Sequence, residues 1–515
     1  MTIIISPDFI YARLYPHFGT HWYPYISNTS DKIWIFVFSF IVLMVKPLWF
    51  RLVFFGMAML FSLCELAYYS YFGTILSPYV ILLFFTQMSD VTEAFIDLLR
   101  YVYVPFVLIF MIALPVMIAL LKYDLKLEGN TLRFKHVGKV LILLILAFLV
   151  VAFFSKDTER FQPKLYSYSV KNFFSSIALL AGKELPIALG VKHDKKEFLS
   201  YQINKINTKT TNQNIVVVMG ESLSYVNMSV FGYELNTTPN LNKMAQENQI
   251  IIKKAISSGV QTDVSIPTFF SLKREPQNVD LLLNNENNLL FMAKSQGYTV
   301  HYISVQNSGY IGKQIASHAD IIMDDKSFAK QLGREDYYDD VLLEYLKTVD
   351  LSKPNFIVLH QRNSHFPYEN NTPKEFRKFT YDKSNFKDYN IKSYASALLY
   401  TDHLLNEMIK YLEISSSLPV LFFATSDHGE MMGADNRWGH SQLFLESAKV
   451  PFIFWQKDGD LEMQNRVTNT KDGISHYEIG KLIALSLGYD VINPNENKEI
   501  YINGVDINGR GGYIT

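Results

Sequence analysis

Apolar residues follow two different rhythms along this chain. Before Ser155 they fall in long runs, at residues 33–45, 52–72, 102–121 and 140–154. A helix needs ~20 mostly apolar residues to cross a bilayer. The second and third runs have that length, and flanking aromatics and snorkelling lysines extend the first and fourth. The pattern predicts a four-span helical membrane domain over residues 1–154. Residues 77–100 are only half apolar and predict an amphipathic helix lying on the outer surface. Residues 9–25, rich in Tyr, Phe and Trp, read as an interfacial stretch rather than a span. No basic segment opens the chain, so no cleavable leader is expected.

Residues 155–213 read as a connector with one amphipathic stretch at 170–180. From Ile215 onward the rhythm is short and β-rich, alternating with helical periodicity. Strands are predicted at 215–219, 298–304, 356–360, 420–424 and 451–455. Helices are predicted at 288–295, 341–349, 395–412 and 477–487. Alternation of this kind predicts an α/β domain over 214–515, with a largely parallel sheet covered by helices on both faces.

Charge orients the membrane half. Lys46 and Arg51 lie between the first two runs, and Lys122, Lys126, Arg133, Lys135 and Lys139 lie between the last two. The positive-inside rule puts both loops in the cytoplasm, so the chain beyond residue 154 is expected outside it. The 48 basic residues against 49 acidic ones argue against a dedicated nucleic-acid binder, which usually carries a basic excess. A single cysteine, Cys64, excludes an internal disulfide, a cysteine zinc finger and a Cys-ligated iron–sulfur cluster. Glu65 lies inside a predicted span, where a carboxylate is either functional or part of a helix–helix hydrogen bond.

In parallel α/β sheets ligands bind beyond the carboxyl ends of the strands. Glu221 follows the first predicted strand, His360 and His365 follow another, and Asp427-His428 follow a third, with His440 further on. Asp, Glu and His suit zinc or manganese. Such a site hydrolyses or transfers groups rather than performing redox chemistry. No Walker A loop, G-x-G-x-x-G loop or G-x-S-x-G elbow is present. The hydroxyl-rich turn Ser257-Ser-Gly-Val-Gln-Thr262-Asp-Val-Ser265-Ile-Pro267 offers two nucleophile candidates, Thr262 and Ser265, and either can instead cap the following helix.

Four ordered blocks resemble the membrane phosphoethanolamine transferases of the alkaline-phosphatase/sulfatase superfamily. They are Gly220-Glu-Ser222 with the segment 231–241, Ser258–Pro267, His360-Gln-Arg-Asn-Ser-His365-Phe-Pro-Tyr368, and Ser426-Asp-His-Gly-Glu430 through His440. The resemblance implies an inner-membrane helical bundle joined to a periplasmic alkaline-phosphatase-like domain. It implies Thr262 as nucleophile, with Glu221, Thr262, Asp427 and His428 around one tight zinc. It places His365 and His440 near the incoming substrate or a second zinc, with manganese behind zinc as the metal. It also implies substrate contacts at Glu93, Asn307, Lys313 and His360.

The activity so implied is transfer of phosphoethanolamine from phosphatidylethanolamine to a hydroxyl or phosphate of an envelope glycan or lipopolysaccharide. Two departures stand out. The family usually has five spans, and its lipid A-modifying members usually carry periplasmic disulfides. The Cys/Ser-x-Pro-x-Arg nucleophile motif of sulfatases is absent. The alternatives are a phosphoglycerol transferase of the lipoteichoic-acid-synthase type and a metal-dependent phosphatase.

Overall fold

A computed structural model describes residues 6–8, 10–11, 29–43, 48–72, 105–119 and 168–188 of the N-terminal half, with a few single residues between. Of the rest it describes 198–206, 212–306, 316–333, 337–434, 437–504 and 513–514. The chain divides into two compact units. One comprises Met1–Asp194 with Gly433–Trp438, and the other Lys195–Met432 with Gly439–Thr515.

The first unit is helical. Helix α1 spans Thr29–Leu43, α2 Leu48–Phe72, α3 Pro105–Ala119 and α4 Ser169–Leu179. Among the described residues one helix, over Leu48–Tyr69, is long and apolar enough to cross a membrane, and Pro105–Ala119 is a shorter apolar helix. At 1.5 Å per residue, the 25 residues of α2 exceed the ~30 Å of a hydrocarbon core. The expected fourth span and the outer-surface helix at 77–100 lie almost wholly outside the described residues. α2 and α4 pack through Phe61 and Phe173, with ring centroids 4.6 Å apart. A polar seam joins them: Ser169 Oγ donates to Ser62 Oγ at 3.0 Å. Glu65 Oε1 accepts from the Leu76 amide at 3.4 Å.

The second unit is built on an eight-stranded sheet. Its strands are β1 Asn214–Gly220, β2 Ile251–Ile256, β3 Thr299–Ser304, β4 Ile321–Met323, β5 Asn355–His360, β6 Val420–Ser426, β7 Lys449–Lys457 and β8 Ile474–Ser475. Across the sheet the order is β8-β2-β7-β6-β1-β5-β3-β4. The register pairs Ile215 with Leu421 on one side and Phe356 on the other. Only β7 runs against its neighbours, antiparallel to both β2 and β6. The sheet is therefore mixed, with seven strands pointing one way.

Every residue of β1 and β6 is buried. Because strand side chains alternate between faces, both faces of the sheet are covered. On one face Ile215, Val217, Met219 and Phe423 share a core with residues of α5 (Thr262–Phe270), α6 (Leu289–Ser295) and α8 (His476–Ser486). The long helix α7, Phe386–Ser415, supplies a further buried row that includes Leu398, Leu405 and Met408. Part of the segment expected as connector joins this unit, since Gln202–Lys205 pairs antiparallel with Tyr489–Ile492.

Candidate metal centre and nucleophile

β1, β5 and β6 are adjacent and parallel, so their carboxyl ends open on one side of the sheet. Glu221 follows β1, His360 ends β5, and Asp427 and His428 follow β6. All four are essentially sealed from solvent. Thr262 is the first residue of α5 and brings a hydroxyl to the same point. Its Oγ1 donates to Asp427 Oδ2 at 2.7 Å. It also lies 3.3 Å from His428 Nε2 and 3.4 Å from Glu221 Oε2.

The loop backbone fixes these groups. Ser222 has φ of +56°, an unusual conformation for a residue with a side chain, and its amide donates to Asp427 Oδ1 at 3.0 Å. The His428 amide donates to the same oxygen at 2.7 Å. Gly429 passes against the edge of β7, where a Cβ would sit 2.6 Å from the Lys449 carbonyl oxygen.

Two overlapping sets of ligand-capable residues meet here: Glu221, His428 and His440, and Glu221, His360 and Asp427. Within each set the ligand atoms lie within 4.8 Å of one another. Among the described residues no lysine or arginine pairs with Glu221 or Asp427; His428 Nε2 lies 3.6 Å from Glu221 Oε1 and 3.2 Å from Asp427 Oδ2. Burial, then the nearby Asp427, pushes the Glu221 carboxyl well above its usual range. Burial also opposes ionisation of Asp427, but His428, His360 and the Thr262 and Ser222 donors outweigh it and hold its carboxyl low. Burial pushes both His428 and His360 down to about 4, which leaves their rings neutral and able to ligate. His360 Nε2 is buried with no hydrogen-bond partner. Two buried carboxylates, neutral imidazoles and an orphaned ring nitrogen form a donor set that fits a divalent cation.

A second histidine pair borders this point. The His440 ring lies 4.1 Å from that of His428 and 6.2 Å from that of His365, centroid to centroid. Glu430 Oε2 bonds His440 Nδ1 at 2.8 Å, while Tyr368 donates to Glu430 Oε1 at 2.5 Å. Burial works against a charge on His440, and Glu430 outweighs it, holding the ring above its usual range. His365 Nδ1 faces the Phe366 carbonyl at 2.6 Å.

Ser265 points elsewhere: it is buried inside α5, with Oγ 3.4 Å from His476 Nδ1 and from Ser258 Oγ. It does not cap the helix; Gln261 occupies that position without a side-chain cap. The structure thus brings together Glu221, Thr262, His360, Asp427, His428, His440 and His365. Glu93, Asn307 and Lys313 lie outside the described residues. Three residues beyond the sequence-predicted set also reach the site: Gln306, which contacts Glu221, and Glu430 and Tyr368, which lie within the third and fourth motif blocks.

The sulfatase family matches residues 213–479, which is more than half of the chain and contains every strand of the sheet. The chain belongs to the sulfatase family. Within that superfamily its resemblance to the phosphoethanolamine transferases holds. Kdo(2)-lipid A phosphoethanolamine 7''-transferase of Escherichia coli (strain K12) is 25% identical over 313 residues, 55% of this chain. The match spans 54% of that relative's own length, so about half of it. Phosphoethanolamine transferase EptA of the same strain is 24% identical over 406 residues, 72% of each chain. Among solved structures, the integral membrane lipooligosaccharide phosphoethanolamine transferase A (EptA) of Neisseria meningitidis covers 96% of both chains with a TM-score of 0.57 at 17% identity, a likeness of fold. The sulfatase-family match lies on the C-terminal unit, whose sheet is mixed rather than wholly parallel.

Proposed function

We propose that this chain is a membrane-anchored, zinc-dependent phosphoethanolamine transferase of the bacterial envelope, working through a covalent intermediate on Thr262. The observation that carries the reading is the convergence of the Thr262 hydroxyl on Asp427, His428 and Glu221 within 3.4 Å. A family scaffold built for phosphoryl and sulfuryl transfer, with threonine at the reactive position, supports it.

Glu221, Thr262, Asp427 and His428 would hold the metal, and imidazole among the donors favours zinc over manganese. When bound, the ion supplies positive charge that lowers the hydroxyl pKa and offsets charge on the phosphoryl oxygens. Asp427 Oδ2 holds and orients the Thr262 hydroxyl. The Thr262 oxygen forms a bond to the donor's phosphorus as the bond from phosphorus to the glycerol oxygen breaks. The released diacylglycerol takes a proton. His365 and His440 border the site on one side and are placed to exchange protons with the departing alcohol and the arriving acceptor. An acceptor hydroxyl or phosphate then displaces threonine, regenerating Oγ1–H.

The four-span topology, the domain limits at 154 and 213, the periplasmic placement of the C-terminal unit and its inner-membrane anchoring belong to the same proposal. A membrane unit on the same chain keeps the site near a bilayer donor and raises its effective concentration. Substrate contacts are assigned to His360, with Glu93, Asn307 and Lys313 as further candidates. The acceptor is an envelope glycolipid or glycan.

The test is donor choice. Vesicles carrying labelled phosphatidylethanolamine should yield diacylglycerol with this protein, and vesicles of labelled phosphatidylglycerol should not. Diacylglycerol from phosphatidylglycerol alone would reassign the chain as a phosphoglycerol transferase. Free phosphoethanolamine in place of transferred label would make water the acceptor and the chain a phosphodiester hydrolase, and inorganic phosphate would make it a phosphatase.

A further inference from the structure

Glu221 is held from two sides. Its Oε1 accepts from Ser222 Oγ at 2.7 Å. Its Oε2 accepts from the side-chain amide nitrogen of Gln306 at 2.6 Å. Gln306 lies two residues beyond β3 and is itself buried.

The amide of Gln306 is fully determined by its surroundings. Its Nε2 also donates to the Gln361 carbonyl at 2.9 Å. Both partners are pure acceptors in the ligand-competent state, so the NH₂ end must face them, and both of its hydrogens are committed. Gln361 is anchored in turn, since its backbone N–H donates to the Met219 carbonyl at 2.9 Å. The Gln306 backbone amide donates to Ser304 Oγ at 3.1 Å, which fixes the residue from behind. One neutral side chain thereby links the carboxyl ends of β1, β3 and β5.

Neutrality matters. A lysine or arginine at this point would pair with Glu221 and compete with a cation for it. An amide satisfies the buried oxygen and leaves the carboxylate's charge available. Outer partners of this kind orient ligating carboxylates and tune metal affinity. We infer that Gln306 is the positioning residue of Glu221, setting how tightly the site holds its metal. The inference rests on the proposed metal site and adds a residue to it.

The experiment uses the full chain in detergent, stripped with a chelator and titrated with zinc ion alone against a chromogenic competitor. Gln306→Met keeps the length and removes both donors. Zinc affinity should fall by ~10–100-fold, the usual cost of losing an outer-shell partner. Unfolding of the stripped protein should stay near that of wild type. Glu221→Gln should weaken binding further, and adding Gln306→Met to it should change nothing more, because the carboxylate being positioned is gone. Should Gln306→Met not fold, Gln306→Asn carries the same test, since its shorter amide cannot reach both acceptors.

Wild-type affinity in a folded Gln306 variant, or a loss that adds in full to that of Glu221→Gln, overturns this inference alone. A wild-type chain that binds no zinc, or a Glu221→Gln variant that binds it normally, overturns the metal-site reading and this inference with it.

Discussion

Thr262 and Asp427, 165 residues apart in the chain, are joined by a 2.7 Å hydrogen bond from hydroxyl to carboxylate. A helix start and a strand end are thereby locked together where the proposed chemistry occurs. Ser265, one turn along the same helix, engages His476 and Ser258 instead. The two hydroxyls of one short segment serve different parts of the molecule.

The first prediction follows from that division. Thr262→Ala should lower transfer by several orders of magnitude, the scale of losing a covalent nucleophile. Ser265→Ala removes a buried hydroxyl and should cost about 1 kcal/mol of stability while transfer persists. Wild type incubated with donor lipid and no acceptor should carry a phosphoethanolamine adduct on the tryptic peptide 255–273. Mass spectrometry that maps the adduct to Ser265 would reverse the assignment.

The second concerns the metal. Glu221 and Asp427 are buried beside each other with His428 as their basic partner. Removing a bound cation should leave that repulsion uncompensated. Chelation should therefore lower the unfolding temperature, and zinc should restore it, with about 2.7 kcal/mol gained at 100 times the dissociation constant. Asp427→Asn should blunt the zinc-dependent shift and lose most activity. An unfolding temperature indifferent to chelator and zinc in wild type would remove the metal from the site.

Much of this site was legible because its residues sit at the ends of apolar β-rich runs, which expose whatever follows the strand. Glu221, His360, Asp427 and His428 all stand in that position. The direction of β7 was not legible, since a run such as Pro-Phe-Ile-Phe-Trp carries no arrow, and its antiparallel course is set by long-range pairing with β2 and β6. β2 carries no clear apolar signal, because Lys253 and Lys254 interrupt its pattern. Gln306 gave no local signal: a glutamine after a strand looks like any polar loop residue, and its role exists only once three strand ends are adjacent. Glu430 and Tyr368 lie within the motif blocks, but the relay from Tyr368 through Glu430 to His440 is made of tertiary contacts.

The third prediction addresses topology. The 25-residue helix α2 and the lysine-rich segment 122–139 motivate it. A reporter enzyme active only in the cytoplasm should be silent when fused after Thr515. The same reporter placed within residues 126–135 should be active. A signal from the C-terminal fusion would overturn the count of four spans and the external placement of the site.

The last prediction concerns His476, a buried ring beneath the nucleophile segment. The Ser258 amide donates to its Nδ1 at 3.1 Å, so that nitrogen is an acceptor and the ring's proton sits on Nε2, 3.4 Å from Thr425 Oγ1. Protonating Nδ1 would set two N–H groups against each other in an apolar setting. Burial above all pushes this histidine down to about 3. The sign follows from linkage: the unfolded chain takes up the proton near the ordinary histidine value of about 6.5, well before the folded one does. This contribution to stability is complete above that value and drains away as pH falls towards about 3. Between pH 7 and 5 the single group should remove about 2 kcal/mol. His476→Gln keeps an acceptor and cannot titrate. It should begin less stable at pH 7 and lose less of its unfolding temperature on acidification to pH 5. The other buried histidines are common to both proteins and cancel in the comparison. Equal losses in the two proteins would show that His476 carries no part of the acid sensitivity.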